Sequence, residues 1–189
     1  MSWIARWQQW VGRALGSAGA GASAGDAAGL RILLVCMGNI CRSPIAEGVL
    51  RAKLAAAGLA QRVHVDSAGT HGHHSHEPPD PRAVRRAAQR GYGLADLRAR
   101  PVRPGDYGDF DWILAMDDSN LAWLQQHRPA GSAVQLGRLL DHACRHPGIT
   151  EVPDPYYGPE SGFDQVLDLV EDACDGVVAQ VRAGGWRKA

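Results

Sequence analysis

Residues 31–57 read as a strand, a tight loop and a helix in immediate succession, and this unit limits the fold more than any other part of the chain. Arg31-Ile32-Leu33-Leu34-Val35 is a short apolar run with branched side chains, the pattern of a strand covered on both faces. Pro44 to Ala57 carries helical periodicity, with the proline in the first turn, where a missing N–H costs nothing. Val63-His64-Val65, Trp112-Ile113-Leu114-Ala115 and Ala133-Val134-Gln135-Leu136 repeat the strand pattern. Helical patterns separate them at Arg82 to Arg90 and Ser119 to His127, and a long amphipathic one runs from Phe163 to Val181. Strands alternating with helices predict an α/β fold, a single domain with a four-stranded, mainly parallel sheet flanked by helices. Ligands gather beyond the carboxyl ends of such strands, so the loop that begins at Cys36 is the first place to look for chemistry.

That loop, Cys36-Met37-Gly38-Asn39-Ile40-Cys41-Arg42-Ser43, sets a cysteine and an arginine six positions apart between strand and helix. A turn of this length can curl so that its backbone N–H groups converge, and the following helix adds the positive end of its dipole. The result is a cradle of phosphate size, a phosphate loop between the first strand and the first helix. Gly38 is expected to take the unusual backbone angles of the curl, and Glu47 to sit favourably near the helix start. Such surroundings favour a thiolate at Cys36, the form that attacks phosphorus. Arg42 supplies a planar fork for two phosphoryl oxygens, and Ser43 a hydroxyl for the sulfur.

Composition removes several other functions. Basic and acidic residues balance at 20 each over 189 residues, so no global field argues for nucleic acid. Cys36, Cys41, Cys144 and Cys174 are too few and too scattered for a disulfide scaffold, which points to a reducing cytoplasm. No stretch is long and apolar enough to read as a membrane span. Residues 2–15 form an amphipathic helical pattern through Trp3, Ile4, Trp7, Trp10, Val11, Ala14 and Leu15, followed to residue 29 by a Gly/Ala/Ser linker composition. This face fits a membrane surface, a partner, or the domain's own surface.

The run Val35-Cys36-Met37-Gly38-Asn39-Ile40-Cys41-Arg42-Ser43-Pro44-Ile45-Ala46-Glu47-Gly48-Val49-Leu50 closely resembles the signature of the low-molecular-weight protein-tyrosine phosphatases. Asp66-Ser67-Ala68-Gly69-Thr70, Pro78-Pro79-Asp80-Pro81-Arg82-Ala83, Ala115-Met116-Asp117-Asp118-Ser119-Asn120 and Pro153-Asp154-Pro155-Tyr156-Tyr157-Gly158 continue the likeness in the family's order. The resemblance implies a phosphatase domain over residues 30–183, with the N-terminal segment 1–29 and a tail 184–189 outside it. It implies hydrolysis of phosphotyrosine through a phosphocysteine intermediate, with no cofactor and no metal. Cys36 is then the nucleophile, and Met37, Gly38, Asn39, Ile40, Cys41, Arg42 and Ser43 the phosphate-binding residues. Asp154 is the general acid, and His73, Tyr156 and Tyr157 are walls for the substrate ring. Cys41 in this family can form a reversible disulfide with the nucleophile, a redox guard; packing alone also accounts for it. The partner implied is a phosphotyrosine protein, in bacterial members often an autophosphorylating tyrosine kinase of polysaccharide export.

Two departures bear on specificity. His73 stands where many relatives carry a large aromatic, and Leu97 where the family often places a histidine that helps hold the loop asparagine, so Asn39 needs another partner. Three rival functions share parts of the pattern. Arsenate reductase uses a similar loop but needs a further closely spaced thiol pair, and none occurs between Cys41 and Cys144. A protein-arginine phosphatase tends to carry threonine where this chain has Ile40. A metal-binding module would draw on Cys36, Cys41 and the histidines at 71, 73, 74 and 76.

Overall fold

The computed structural model describes residues 29–185. The N-terminal amphipathic pattern at 2–15 and most of the tail lie outside them. The first strand, β1 (Leu30–Cys36), is followed by helix α1 (Arg42–Ala56), β2 (Val63–Gly69), α2 (Pro81–Gln89) and the single turn α3 (Asp106–Asp109). Then come β3 (Trp112–Ala115), α4 (Asp118–Gln126), β4 (Gln135–Arg138), a 3₁₀ turn at Leu139–His142, and the long α5 (Gly162–Arg182).

The four strands pair in the order β2-β1-β3-β4, and every pair is parallel. β1 therefore lies inside the sheet, bonded on both edges, and six of its seven residues are buried. Its alternation divides the core in two. Leu30, Ile32, Leu34 and Cys36 join the cluster under α1 and α5, while Leu33 and Val35 join the cluster that includes Tyr107, Phe110 and Leu124. The nucleophile candidate thus leaves the sheet on the α1 side.

β4 begins at Gln135, two positions later than the apolar run suggests. Val134 is buried, but pairing starts where Trp112 faces Gln135 and the Gln135 N–H donates to Asp111 O at 2.9 Å. Ser132, whose hydroxyl donates to Tyr107 O at 2.8 Å, holds the preceding residues off the ladder.

α5 closes the α1 face at one very tight point. A Cβ on Gly176 would stand 1.9 Å from His142 O, in the turn whose His142 ring stacks on Trp112 at 5.6 Å. Alanine at a helix interior ordinarily gains about 1 kcal/mol over glycine. Here the carbonyl cannot yield without moving the turn, so overpacking prevails. We expect Gly176→Ala to destabilise the fold by about 1–3 kcal/mol, read as a lower urea midpoint. An unchanged or raised midpoint would contradict this packing.

Candidate active site

The chain turns at the carboxyl end of β1 because two neighbouring segments hold the loop. Thr70 N–H donates to Cys36 O at 2.9 Å and His71 N–H to Met37 O at 3.0 Å, so the end of β2 is stitched to the start of the loop. Asp80 N–H donates to Ile40 O at 2.8 Å on the opposite side. Gly69 must be glycine, since a Cβ there would stand 2.6 Å from Met37 O. The left-handed residue of the curl is Asn39, with φ of 56°, and not Gly38. Asparagine tolerates this region through its short polar side chain. Gly38 has a different constraint, because the His74 ring lies 3.2 Å from where its Cβ would be.

Cys36 is 2% exposed. Its Sγ accepts the Asn39 N–H at 3.3 Å and lies 3.0 Å from Ser43 Oγ. Asn39, the residue whose family partner Leu97 replaces, is held from three sides. Its Nδ2 donates to Ser43 Oγ and to Ser67 Oγ, each at 2.9 Å, and its Oδ1 accepts the Arg100 N–H at 2.9 Å. Leu97 is buried and apolar. A serine on β2 and a backbone amide do the work expected of another side chain.

Arg42 opens α1, whose N-cap residue Cys41 makes no side-chain cap. The guanidinium is buried and spans two carboxylates: Nη1 donates to Asp117 Oδ2 at 2.5 Å and to Val152 O at 3.3 Å, and Nη2 donates to Asp154 Oδ2 at 2.8 Å. Burial alone would pull the Arg42 pKa down, but Cys36, Asp154 and the Asp117 bond outweigh it and hold the cation more firmly than usual. Asp117 in turn caps α4 by accepting the Asn120 N–H at 2.6 Å. Arg42 and Asp154 are 112 positions apart in sequence, and the parallel sheet brings them together at one end.

Asp154 has a half-exposed side chain that also accepts the Tyr156 N–H at 3.2 Å. Its loop is anchored through Val152, whose N–H donates to Met116 O at 2.8 Å. Upstream, the buried Asp172 of α5 accepts the N–H groups of Cys144, Arg145 and His146 at 2.8–3.1 Å, and His146 Nδ1 lies 2.8 Å from it. Burial would raise the Asp172 pKa, but these donors reverse the effect and hold it below the usual carboxylate range.

At the mouth, Tyr156 packs under Arg82 and meets Tyr157 edge to face at 4.8 Å; Tyr157 is 97% exposed. Arg82 is fixed by Asp80, which caps α2 and accepts three bonds from it at 2.8–3.0 Å. His73 is exposed and its ring lies 5.8 Å from that of His71, while His74 is the histidine against the loop at Gly38. Cys41 is a buried free thiol, pushed up in pKa first by burial and then by Asp80 and Cys36. Among the described residues no three His, Cys, Asp or Glu side chains gather round one centre, so the metal-binding rival gains no support.

A family model described as low molecular weight phosphotyrosine protein phosphatase matches residues 31–185. The chain belongs to this family. It is 43% identical over 155 residues to a low molecular weight protein-tyrosine-phosphatase of Streptomyces coelicolor, covering 80% of this chain and 93% of that one. A Bacillus subtilis member is 35% identical over 153 residues, covering 81% and 96%. A crystal structure of protein tyrosine phosphatase from Entamoeba histolytica with Hepes in the active site superposes with a TM-score of 0.79 at 38% identity, covering 82% of this chain and 99% of the other. The α/β expectation holds as stated, with a sheet that is wholly parallel.

Sequence reasoning passed over Asp117, Ser67, Arg100 and Glu47 as members of the site. Glu47 in particular lies beyond the first turn of α1, not at the helix start where it was expected to sit. It is buried beneath the loop, and burial lifts its carboxyl to about 7 against the opposing pull of Ser67 and Arg51. Family landmarks contain Ser67 and Asp117, but only the fold says what they touch.

Proposed function

We propose that this phosphatase hydrolyses phosphotyrosine in proteins by two displacements at one cysteine. The observation that supports it best is the placing of Cys36 Sγ 3.0 Å from Ser43 Oγ, beside an Arg42 whose Nη2 is bonded to Asp154 at 2.8 Å. Cys36 attacks phosphorus while Arg42 and the amides of residues 37–43 hold the equatorial oxygens. Asp154 protonates the departing tyrosyl oxygen. Water then attacks the phosphocysteine with Asp154 as base, the P–S bond breaks, and the sulfur leaves with a hydrogen bond from Ser43. His73, Tyr156 and Tyr157 line the approach of the substrate ring.

In this reading the phosphatase domain is 30–183, with 1–29 as an appendage and 184–189 as a tail. The substrate is a phosphotyrosine protein, such as an autophosphorylating kinase of polysaccharide export, met in the cytoplasm, where the free thiols at 36, 41, 144 and 174 stay reduced. Cys41 would guard the nucleophile by condensing with an oxidised Cys36 to a disulfide, releasing water.

Rates on a phosphotyrosine peptide and a phosphoarginine peptide of the same sequence, with arsenate reduction measured in parallel, test the choice of substrate. The tyrosine peptide should show kcat/KM roughly 100-fold higher, and arsenate should not be reduced. A faster reaction with phosphoarginine, or turnover of arsenate, would replace this reading by one of its rivals.

A further inference from the structure

We propose that Glu47 is a positioning residue for the nucleophile: through Ser67 and Asn39, its carboxyl group sets whether the Ser43 hydroxyl is directed at the Cys36 sulfur. The inference rests on the phosphatase reading above. It comes from an unbroken file of side chains under the loop. Ser67 Oγ donates to Glu47 Oε2 at 2.5 Å, Asn39 Nδ2 donates to Ser67 Oγ and to Ser43 Oγ at 2.9 Å, and Ser43 Oγ lies 3.0 Å from Cys36 Sγ. No member is more than 3% exposed. Polar groups closed off in this way have fixed partners, so a change at one end is felt along the file.

Counting hydrogens fixes the directions. Asn39 Oδ1 accepts the Arg100 N–H, so the amide cannot be flipped, and both Nδ2 hydrogens point at the two serines. Ser67 accepts one of them and has its own hydrogen to place, on Glu47 Oε2. Ser43 accepts the other and has its hydrogen free for Cys36 Sγ, with Ala68 O at 3.3 Å as the weaker alternative. An ionised Glu47 completes this order, since a carboxylate only accepts.

Protonation reverses it. Glu47 Oε1 stands 2.5 Å from Arg51 Nη2, in ionic contact without hydrogen-bond alignment, so a proton is disfavoured there and settles on Oε2, facing Ser67. The Ser67 hydroxyl must then accept from Glu47 as well as from Asn39, and its own hydrogen is displaced. Its grip on Asn39 loosens, and with it the constraint that turns Ser43 toward the sulfur. The charged groups facing Glu47 are Arg51 on the same helix, Asp66 on β2 and Asp96 in the loop after α2; Arg51 lowers its affinity for a proton and the two aspartates raise it. Arg51 also donates to Val65 O at 3.3 Å and pairs with Asp96 at 3.4 Å, which keeps it in place. Burial sets the balance at about 7.

The step affected is loss of the cysteine sulfur from phosphorus, where a hydrogen bond from Ser43 stabilises the leaving thiolate. The test is kcat for p-nitrophenyl phosphate at saturation from pH 6 to 8, in the wild type, in Glu47→Gln and in Ser67→Ala. Wild-type kcat should contain a component that rises with pH by roughly threefold to tenfold, the worth of one hydrogen bond, with its midpoint near 7. Glutamine keeps the size and cannot titrate, so that component should vanish. Ser67→Ala cuts the file at another link without touching a charge and should flatten the same part of the profile, which decides the matter if Glu47→Gln does not fold. A rise with the same midpoint in either folded variant, or a wild type with no such component, overturns the proposal. A wild type that turns over no aryl phosphate at any pH overturns the phosphatase reading instead.

Discussion

Replacing Cys36 by serine should lower turnover of p-nitrophenyl phosphate by a factor on the order of 10⁴ or more, while inorganic phosphate still binds within a few-fold of its normal affinity. Serine is nearly the same size, and the position is buried between Asn39 N–H and Ser43 Oγ, so the loop has no reason to rearrange. What disappears is the sulfur nucleophile. An alkoxide at that point would have to form in a step the loop is not built to drive, and it would be a poor leaving group when water attacks. In the proposed mechanism phosphate affinity depends on Arg42 and the loop amides, which the substitution leaves in place. Phosphate release assays and calorimetric titration with phosphate separate the two effects. Activity within a hundredfold of normal would remove Cys36 from the mechanism.

The second large effect is expected at Asp154. Alanine there should reduce kcat on a phosphotyrosine peptide by about 10²–10⁴, the usual range for loss of a general acid and base. The loss should be smaller on p-nitrophenyl phosphate, whose leaving group needs less help from a proton. The hydrogen bonding adds a condition on binding. Asp154 Oδ2 lies 2.8 Å from Arg42 Nη2, so a phosphoryl oxygen and this carboxylate compete for one arm of the guanidinium. Removing the carboxylate frees that arm, and phosphate should bind as well as before or more tightly. Asp117 still holds the other arm. Weaker phosphate binding together with slow turnover would mean that Asp154 shapes the cradle and is not the proton donor.

Much of this site is visible in the chain before any fold is known, for a physical reason. A phosphate loop is a local object, made by successive residues between one strand and one helix, and Cys36 to Ser43 carry it in order. The partners that position it are distant in sequence. Arg42 meets Asp117 because β1 and β3 are neighbours in the sheet, a pairing that periodicity does not encode. With Leu97 in place Asn39 needs another partner, and β2 supplies Ser67 through its register with β1. Gly38 drew attention as the residue for unusual backbone angles, yet an asparagine tied on three sides takes the left-handed position at lower entropy cost in the unfolded chain. The burial of Glu47 is not legible in the sequence, because a helix pattern says which face is apolar and not that the first turns of α1 are covered all round. Residues 42–50 of that helix are all buried. The boundary of β4 moved because burial of Val134 looks like strand while pairing begins one residue later.

β1 carries one more consequence. It is one of the two strands bonded on both edges, and the loop grows from its last residue, with its backbone tied to the residues that follow β2 and the Arg42 guanidinium tied to the N-cap of α4 and to the segment before α5. Opening of the residues after β2, or of the segments that carry Asp117 and Val152, would therefore strip contacts from the cradle. We expect copies opened at any of these places to bind phosphate less well. Activity would then track the share of chains that are folded at all of these places together.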